Sequence, residues 1–442
     1  MASLPRPGQG IARTVRQGWM AAIVTAVIAT SATAAERDAD NVSLACHACR
    51  GLLAQMADPK DGPVFLRSYE PANGASALHP ALENTAFTYD NALALMGLVA
   101  CDRTDEAKRV ADALVIALQS DRFYHDGRLR NAYRSGATAP AGEAVELPGY
   151  WDAARNLWVE DGYQVGSATG STAWGALALL TAYEATGTGA YLDSARAIMR
   201  WVDASTADPS GSGYYGGFFG HEPTPEGVTW KSTEHNVDVA AANLWLDRIE
   251  PRELWETAAG RAQALIAKMW DAASGRYYVG TVPGSDRPNA ETSGLDALLW
   301  PLIAIPGQDG KADKLMSWTE RNHGVPGGFD FNDDRDGIWL EGTAQAALIY
   351  RLVGPQEKAA PLFATMREQM SPGGLVYATV KEEITTGLKI GPGSDSGDFK
   401  YYRLPHIAAT AWAILAATRW NPFNGGMEAE RLDWNKQCHP KS

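Results

Sequence analysis

Residues 89–119 read YDNALALMGLVACDRTDEAKRVADALVIALQ, and they contain two helical patterns of different kinds. The first, 89–99, has apolar residues on every side, so a helix over it must be buried all round. The second, about 104–119, repeats apolar residues at i, i+3, i+4 and i+7 with Lys108, Arg109 and Asp112 between them. A helix of this kind covers a core with one face and meets water with the other. The pair therefore predicts an inner helix followed by an outer helix that covers it.

The same alternation recurs along the chain. Further patterns typical of inner helices lie near 171–184, 233–247, 295–304, 341–352 and 406–418. Amphipathic partners follow near 190–204, 253–270, 311–322 and 356–370, and the stretch 42–56 supplies a sixth. Six inner and six outer helices predict an all-α fold in which six helical hairpins close a ring.

Loop lengths support the ring. Connections from an inner helix to its outer partner are short, whereas those from an outer helix to the next inner helix are long and rich in Gly, Pro and aromatic residues: about 57–87, 120–170, 205–232, 271–294, 323–340 and 371–405. In a ring of antiparallel hairpins the long loops share one rim, and long loops on a rigid scaffold commonly carry function. We expect short strands in some of them, such as 275–280 and 374–379.

Composition and charge narrow the class of partner. The 442 residues are 45% hydrophobic and 21% charged, which is typical of a globular chain. A formal net charge of −13 disfavours nucleic acid and anionic membranes as partners. Fifteen Trp and sixteen Tyr beside many carboxylates favour a carbohydrate, although most of these aromatic side chains belong to the core. We expect a monomer with a carbohydrate substrate.

The N-terminal stretch has the pattern of a secretory signal peptide. Arg6, Arg13 and Arg16 precede the apolar run 20–29, and the small residues 32–34 precede Ala35. We predict a signal peptide over 1–34, a single toroid domain over 35–442, and a periplasmic or secreted protein. Removal of the signal would take the formal charge from −13 to −16.

The four cysteines predict two disulfides, because an even number in an oxidising compartment is normally paired. Cys46 and Cys49 could also form a redox motif or half of a metal site, but no second Cys-x-x-Cys pair is present. If inner helices begin at the rim of long loops, Cys101 and Cys438 lie at the opposite face, where the 42–56 helix begins. We predict bridges that join the 46/49 pair to Cys101 and Cys438.

Several rim segments carry a resemblance to a known superfamily. They read FTYDNALAL (87–95), EDGYQVGSATGSTAW (160–174), WKSTEHNVD (230–238), GFDFNDDRDGIWLEGTAQ (328–345) and YYRLPHIAATAW (401–412). Together with the hairpin pattern over about 42–423, they resemble the (α/α)6 toroid of the six-hairpin glycosidases. The resemblance implies an exported glycoside hydrolase acting on a polysaccharide or oligosaccharide, such as a glucan or an exopolysaccharide, and it leaves the substrate open.

Glycoside hydrolysis requires one carboxylic acid to protonate the leaving oxygen and one carboxylate to act as nucleophile or base. Asp90, Glu234 and Glu341 each begin an inner helix, and we expect their side chains to converge on one cavity. We predict Glu234 as the acid, Glu341 as base or nucleophile, and Asp90 as the reserve for either role. Gln at Glu234 or Glu341 should reduce turnover by several orders of magnitude and leave the melting temperature nearly unchanged. The alternative is that acids occupy first turns because they favour the helix dipole.

Aromatic and polar residues of the same rim segments are candidates for substrate binding. A lone His is more often structural, and most aromatic residues belong to the core, but the rim position favours contact with a sugar. The predicted set is Tyr89, Asp161, Tyr163, Trp230, His235, Asn236, Asp334, Trp339, Gln345, Tyr401, Tyr402, Arg403 and His406.

Other chemistries fit less well. Residues 330–341 have the acid spacing of an EF-hand calcium loop, but Arg335 occupies the sixth position, where the turn requires Gly. We predict no metal and no cofactor. A polysaccharide lyase would need cations for a uronate, for which Lys231, Arg276, Arg335 and Arg403 are available. A carbohydrate-binding or polymer-export accessory protein without turnover is the remaining alternative.

Overall fold

The structure is a computed structural model that describes residues 39–57, 61–72, 76–138, 142–391 and 398–439. The described residues contain thirteen α-helices. Their bounds are α1 39–55, α2 Thr88–Ala100, α3 Thr104–Gln119, α4 Thr169–Thr186, α5 Gly189–Thr206, α6 Thr233–Ile249, α7 Glu253–Met269, α8 Leu295–Leu299, α9 Pro301–Ala304, α10 Ala312–Asn322, α11 Leu340–Leu352, α12 Ala359–Glu368 and α13 Ile407–Ala417.

Six inner segments form a closed ring. Helices α2, α4, α6, α8 with α9, α11 and α13 contact one another in this order, and α13 returns to α2. The outer helices α3, α5, α7, α10 and α12 pack on the inner helices of their own hairpins, and α1 is linked to the end of α2. The predicted all-α toroid of six hairpins is confirmed.

The contrast between inner and outer helices follows from their side chains. Every residue of α13 is buried, as its continuous run of Ala, Ile, Leu and Trp predicts. In α3 only one face is buried, and acidic residues occupy its exposed first turn. The predicted fourth inner helix, 295–304, is divided into α8 and α9 at Pro301, which has no backbone N–H to continue the helix.

Short antiparallel strands brace the long loops. Their bounds are β1 Val64–Phe65, β2 Thr85–Phe87, β3 Ala132–Arg134, β4 Gly136–Ala137, β5 Tyr150–Asp152, β6 Leu157–Val159, β7 Ser167–Ala168, β8 Gly217–Phe219, β9 Glu226–Val228, β10 Trp270–Asp271, β11 Arg276–Tyr277, β12 Gly324–Val325, β13 Gly328–Phe329, β14 Glu383–Lys389 and β15 Asp398–Tyr402. The pairs are β1–β4, β2–β3, β5–β6, β10–β11, β12–β13 and β14–β15, with a three-stranded β7–β8–β9 sheet. The predicted strand in 275–280 is β11, whereas 374–379 forms only isolated bridges.

Two disulfides close the face opposite the long loops. Cys46 pairs with Cys438 and Cys49 pairs with Cys101, as predicted, and no cysteine is left free. The first bridge spans 392 positions and fastens the C-terminal segment to α1. With all four sulfurs in bridges, neither a dithiol redox motif nor a thiolate metal site is formed.

The predicted signal peptide, 1–34, lies outside the described residues. Within the described part of the chain, none of the helices combines the length and the hydropathy that a membrane span requires.

Candidate active site

Four acidic residues begin inner helices and are brought together at the rim of the ring. Asp90 lies in the first turn of α2, Glu234 in that of α6 and Glu341 in that of α11. Asp296 lies in the first turn of α8 and was missed by the sequence analysis. One turn below Glu234 on α6 is Asp238, and these five residues are called the acid cluster below.

Glu341 is held by a hydrogen-bonded chain that leaves one of its oxygens open. The hydroxyl of Tyr89 donates to Glu341 Oε1, and the indole N–H of Trp412 donates to the Tyr89 oxygen at 2.9 Å. Glu341 is only 1% exposed, and its Oε2 has no hydrogen-bond partner. Tyr89 therefore orients the carboxylate while the second oxygen stays available to a substrate or a water.

His406 joins Asp90 to Glu341. Its Nε2 lies 3.1 Å from Asp90 Oδ2, and its Nδ1 lies 3.8 Å from Glu341 Oε2. The imidazole stacks on Tyr69 with the ring centroids 4.3 Å apart, which fixes its plane. Burial disfavours the imidazolium, but Asp90 and Glu341 together raise the pKa of His406 above its ordinary value.

Four acids of the cluster, Glu234, Asp238, Asp296 and Glu341, have raised pKa values. Burial raises the pKa of Glu234 to about 7, and it raises that of Glu341 to about 7 although His406 and Tyr89 oppose the change. Burial and the charge of Glu234 raise the pKa values of Asp238 and Asp296 as well. Since these four acids affect one another electrostatically, their titrations are linked.

Aromatic rings close the space beneath the acids. Tyr89, Trp174, Trp300, Trp412 and Phe423 come from four inner helices and the segment after α13, and they form what we call the aromatic floor. The centroid of Trp174 lies 5.1 Å from that of Tyr89, 5.3 Å from that of Trp300 and 5.2 Å from that of Phe423. The rings meet edge to face or tilted, with interplanar angles of 84°, 68° and 56° for these three pairs, and they form an apolar base under the carboxylates.

Comparison with known proteins identifies the architecture. No protein-family model matches the chain, and no curated protein matches it. Solved structures match over nearly the whole chain, with a glycosidase at TM-score 0.58 and 13% identity, covering 87% of this chain and 98% of that one. The fold is an (α/α)6 toroid. A variant of that glycosidase in complex with glucose matches at TM-score 0.57 and 14% identity, over the same shares of the two chains.

Epimerases share the toroid too. Cellobiose 2-epimerase from Bacillus thermoamylovorans matches at TM-score 0.52 and 12% identity, over 80% of this chain and 92% of that one. A sugar epimerase from a ruminal bacterium matches at TM-score 0.54 and 11% identity, over the same shares of the two chains. At such identities the likeness shows the fold alone, and it confirms the predicted resemblance to six-hairpin glycosidases at that level.

Some predicted binding residues lie next to the acid cluster of the toroid. Burial raises the pKa of Tyr163, and the nearby charges of Glu234 and Asp90 raise it further. Tyr401 packs against Trp339 and is affected by Glu341 in the same way. His235 also belongs to this group: it follows Glu234 in the chain and packs against Trp230, with the ring centroids 5.4 Å apart. The amide of Gln345 lies beside Asp296.

Other predicted binding residues have structural roles in the toroid. Asn236 is fully buried and uses its whole amide group on the backbones of Tyr214 and Ser232. Arg403 donates to Gln369 and to the backbone oxygens of residues 379 and 380. These bonds occupy the groups that were expected to contact substrate.

Asp161 and Tyr402 also have local partners. The carboxylate of Asp161 accepts the backbone N–H groups of Tyr163 and Gln164, which shapes the rim loop and so positions Tyr163. Tyr402 lies in β15 and packs with Tyr69 in a small apolar cluster.

The acidic loop 330–341 does not have the arrangement of an EF-hand. The carboxylates of Asp330, Asp334 and Asp336 lie within 4.8 Å of one another, and Arg335 adopts a left-handed conformation at φ 59°. Glu341, which would be the twelfth ligand, turns instead toward Tyr89 in the centre of the toroid. Asp334, predicted to bind substrate, accepts a hydrogen bond from Thr385 at 2.7 Å on the exposed side of the loop.

Proposed function

We propose that this protein is an exported glycoside hydrolase that cleaves an oligosaccharide or polysaccharide by carboxylate acid–base catalysis. The observation that carries the proposal is the pair Glu234 and Glu341, two carboxyl groups in one cluster with pKa values near 7. A pair that shares protons near neutrality contains both the acid and the base that the reaction requires.

The two glutamates differ in their surroundings, which supports different roles. Glu234 is partly exposed toward the rim and has burial as the cause of its raised pKa, so it is the proton donor to the leaving oxygen. Glu341 is oriented by Tyr89 and has an open Oε2, so it acts as base or nucleophile. Asp90 bonds to His406, which changes its proposed role from reserve acid to positioning residue.

Substrate binding is proposed for the side chains that border the acid cluster. Tyr163 and Tyr401 flank the acids from the rim loops, and His235, Gln345 and His406 present polar atoms without hydrogen-bond partners. Sugars offer hydroxyl groups to such atoms and apolar faces to the rings. Tyr89 would contact the substrate only through the carboxylate that it orients.

The arrangement of cations disfavours the polysaccharide lyase. Lys231 is engaged by Asp208 and Asp286, and Arg403 is engaged by the backbone. Among the described residues, no Lys or Arg contributes to the pKa shifts of Glu234, Asp238, Asp296 and Glu341. A uronate carboxylate would therefore enter an acidic site in which His406, already engaged by Asp90, replaces the Lys or Arg that would hold it.

A sugar epimerase is the second candidate. The observation that favours it is the unpartnered Nδ1 of His406, which lies 3.8 Å from Glu341 Oε2. An imidazole and a carboxylate at this spacing could remove a proton from a sugar carbon and return it from another direction. The two epimerases with the same fold add weight to this candidate.

A panel of bacterial and plant polysaccharides and oligosaccharides separates the candidates. New reducing ends without absorbance at 235 nm indicate a hydrolase, both signals indicate a lyase, and a new epimer in the NMR spectrum without new ends indicates an epimerase. Binding without any of these signals indicates an accessory protein. We expect reducing ends alone, and the absence of new ends on every substrate would contradict the proposal.

Variants assign the chemistry to the acid cluster. Glu234→Gln and Glu341→Gln should each reduce the release of reducing ends by several orders of magnitude. The matched control is Glu253→Gln, because Glu253 also lies in the first turn of a helix but is exposed on α7. Equal losses in the control, or near-normal turnover in either test variant, would remove the glutamates from the mechanism.

A further inference from the structure

The lower part of the acid cluster contains buried polar atoms of two acids that have no role in the mechanism above, together with those of Gln345, which was proposed above to bind substrate. Asp238 is 0% exposed and neither of its oxygens has a hydrogen-bond partner, and Asp296 is 6% exposed with an unpartnered Oδ1. Gln345 is 1% exposed, and both polar atoms of its amide lack a well-formed hydrogen bond. We call Asp238, Asp296 and Gln345 the lower pocket.

Such atoms are costly to leave without partners. A buried donor or acceptor without a hydrogen bond costs about 1–3 kcal/mol, and buried carboxylates are normally paired or bound to a cation. The lower pocket concentrates five of these atoms at one place. This concentration indicates that a ligand group completes the hydrogen bonds when the site is occupied.

The neighbours of the lower pocket are negative or aromatic. The charges that act on Asp238 come from Glu234 and Asp296, and those that act on Asp296 come from Glu234 and Glu341. No Lys or Arg contributes to either shift among the described residues. The indole of Trp174 favours the ionised form of Asp238, and Trp174 packs against Trp300 of the aromatic floor.

This surrounding matches a compact cation with several hydrogen-bond donors. An ammonium group offers three donors to carboxylate and amide oxygens. A calcium ion would need six to eight oxygen ligands, whereas two carboxylates and one amide oxygen provide at most five. Burial disfavours the ionised form of both acids, and a bound ammonium group would restore it, whereas a neutral hydroxyl would leave both acids protonated.

We propose that the lower pocket binds the protonated amino group of an amino-sugar unit. This inference rests on the proposed function, and it names the substrate class as a glycan with free amino groups. N-acetylation of the substrate removes the positive charge and adds a bulky group, so acetylated sugars bind weakly. Uronates are excluded by the same acidic surroundings.

Binding of monosaccharides to the wild-type protein tests the inference without any glycosidic bond to cleave. Isothermal titration at pH 6.5 compares glucosamine, galactosamine and mannosamine with the parent hexoses and the N-acetyl derivatives. We expect at least one hexosamine to bind about tenfold more tightly than its parent hexose, which corresponds to the loss of one charged contact. Asp238→Asn and Asp296→Asn should each abolish this preference.

Asp105→Asn is the matched control, because Asp105 lies exposed in the first turn of the outer helix α3 and should keep the preference. Equal binding of hexose and hexosamine, or no binding of any hexosamine, would overturn the inference. So would a preference that survives in both test variants, or competitive displacement of the hexosamine by calcium, which would indicate a metal site. The hydrolase proposal is tested separately from this binding inference, because the panel of polysaccharides measures new reducing ends.

Discussion

Replacing Glu341 with Gln should stabilise the folded protein above neutral pH while it abolishes turnover. The wild-type carboxylate is almost fully buried, and it is charged only at the cost of leaving water. Gln has nearly the same shape, stays neutral at every pH, and can still accept the hydrogen bond from Tyr89 through its amide oxygen. The structure therefore revises the sequence-based expectation that the melting temperature would hardly change.

The size of the effect follows from the pKa of Glu341, which is about 7 in the folded protein against an ordinary value of 4.5. Between these two values the folded state retains a proton that the unfolded state has released, so stability decreases as pH rises. At about 1.4 kcal/mol per pH unit, the wild-type protein loses about 3 kcal/mol across this interval. The Gln variant loses none of this free energy of unfolding. It is therefore as stable as the wild type below about pH 4.5, and its gain in stability is complete above about pH 7.

Thermal unfolding of both proteins at several pH values between 4 and 9 measures the difference. At about 2.1 cal/mol/K per residue, 3 kcal/mol corresponds to an increase of about 3 °C for a chain of this length. Glu253→Gln should follow the wild type at every pH, because its carboxylate is exposed. A Glu341→Gln variant that is less stable than wild type at pH 8, or equally stable at all pH values, would refute the reasoning.

Three other changes test further parts of the structure. Asp90→Asn should reduce kcat by about 10²-fold or more and shift the pH profile of kcat, because His406 loses its charged partner. An unchanged pH profile would show that the Asp90–His406 pair has no part in turnover. Exchanging Cys49 and Cys101 for Ser should lower the free energy of unfolding by about 4 kcal/mol, since it opens a bridge across 52 positions. If the bridge does not form, calorimetry would show no change in the free energy of unfolding. Asn236→Ala should cost about 2 kcal/mol or more in denaturant unfolding, because a buried backbone N–H loses its acceptor; equal stability would contradict the structural role.

The helices could be predicted from the sequence because the spacing of apolar residues indicates which faces of a helix are buried. The all-apolar run of α13 is buried on every side, and the one-sided pattern of α3 gives a helix with one buried face. The break at Pro301 was missed, because the predicted helix 295–304 was drawn through a residue that interrupts the hydrogen-bond ladder.

The acid cluster was partly predictable. Asp90, Glu234 and Glu341 were selected because they begin inner helices, and Asp296 meets the same criterion on α8. A consistent use of this rule would have found it. The link from Glu341 to Tyr89 and Trp412 could not be derived, because it joins side chains from three inner helices whose relative rotation the sequence does not specify.

The structural bonds of two predicted binding residues could not be derived from the sequence. Asn236 and Arg403 lie in polar rim segments, and this position alone made them candidates. Asn236 bonds instead to the backbone of Tyr214, which lies 22 residues earlier in the chain, and Arg403 bonds to the backbone of Thr379. Contacts of this kind depend on how the long loops fold over one another, and the spacing of apolar residues in the sequence does not predict them.

The most direct test of the central claim is the pH dependence of kcat/KM for the release of reducing ends, measured from pH 4 to 9 with the best substrate of the panel. Two neighbouring carboxyl groups with pKa values near 7 require one proton between them, so the account predicts a narrow bell-shaped profile centred near neutral pH. Glu341→Gln should have almost no activity at any point of this range. A broad plateau that extends down to pH 5, or substantial activity in the Gln variant, would contradict the claim that these buried carboxylates carry out the reaction.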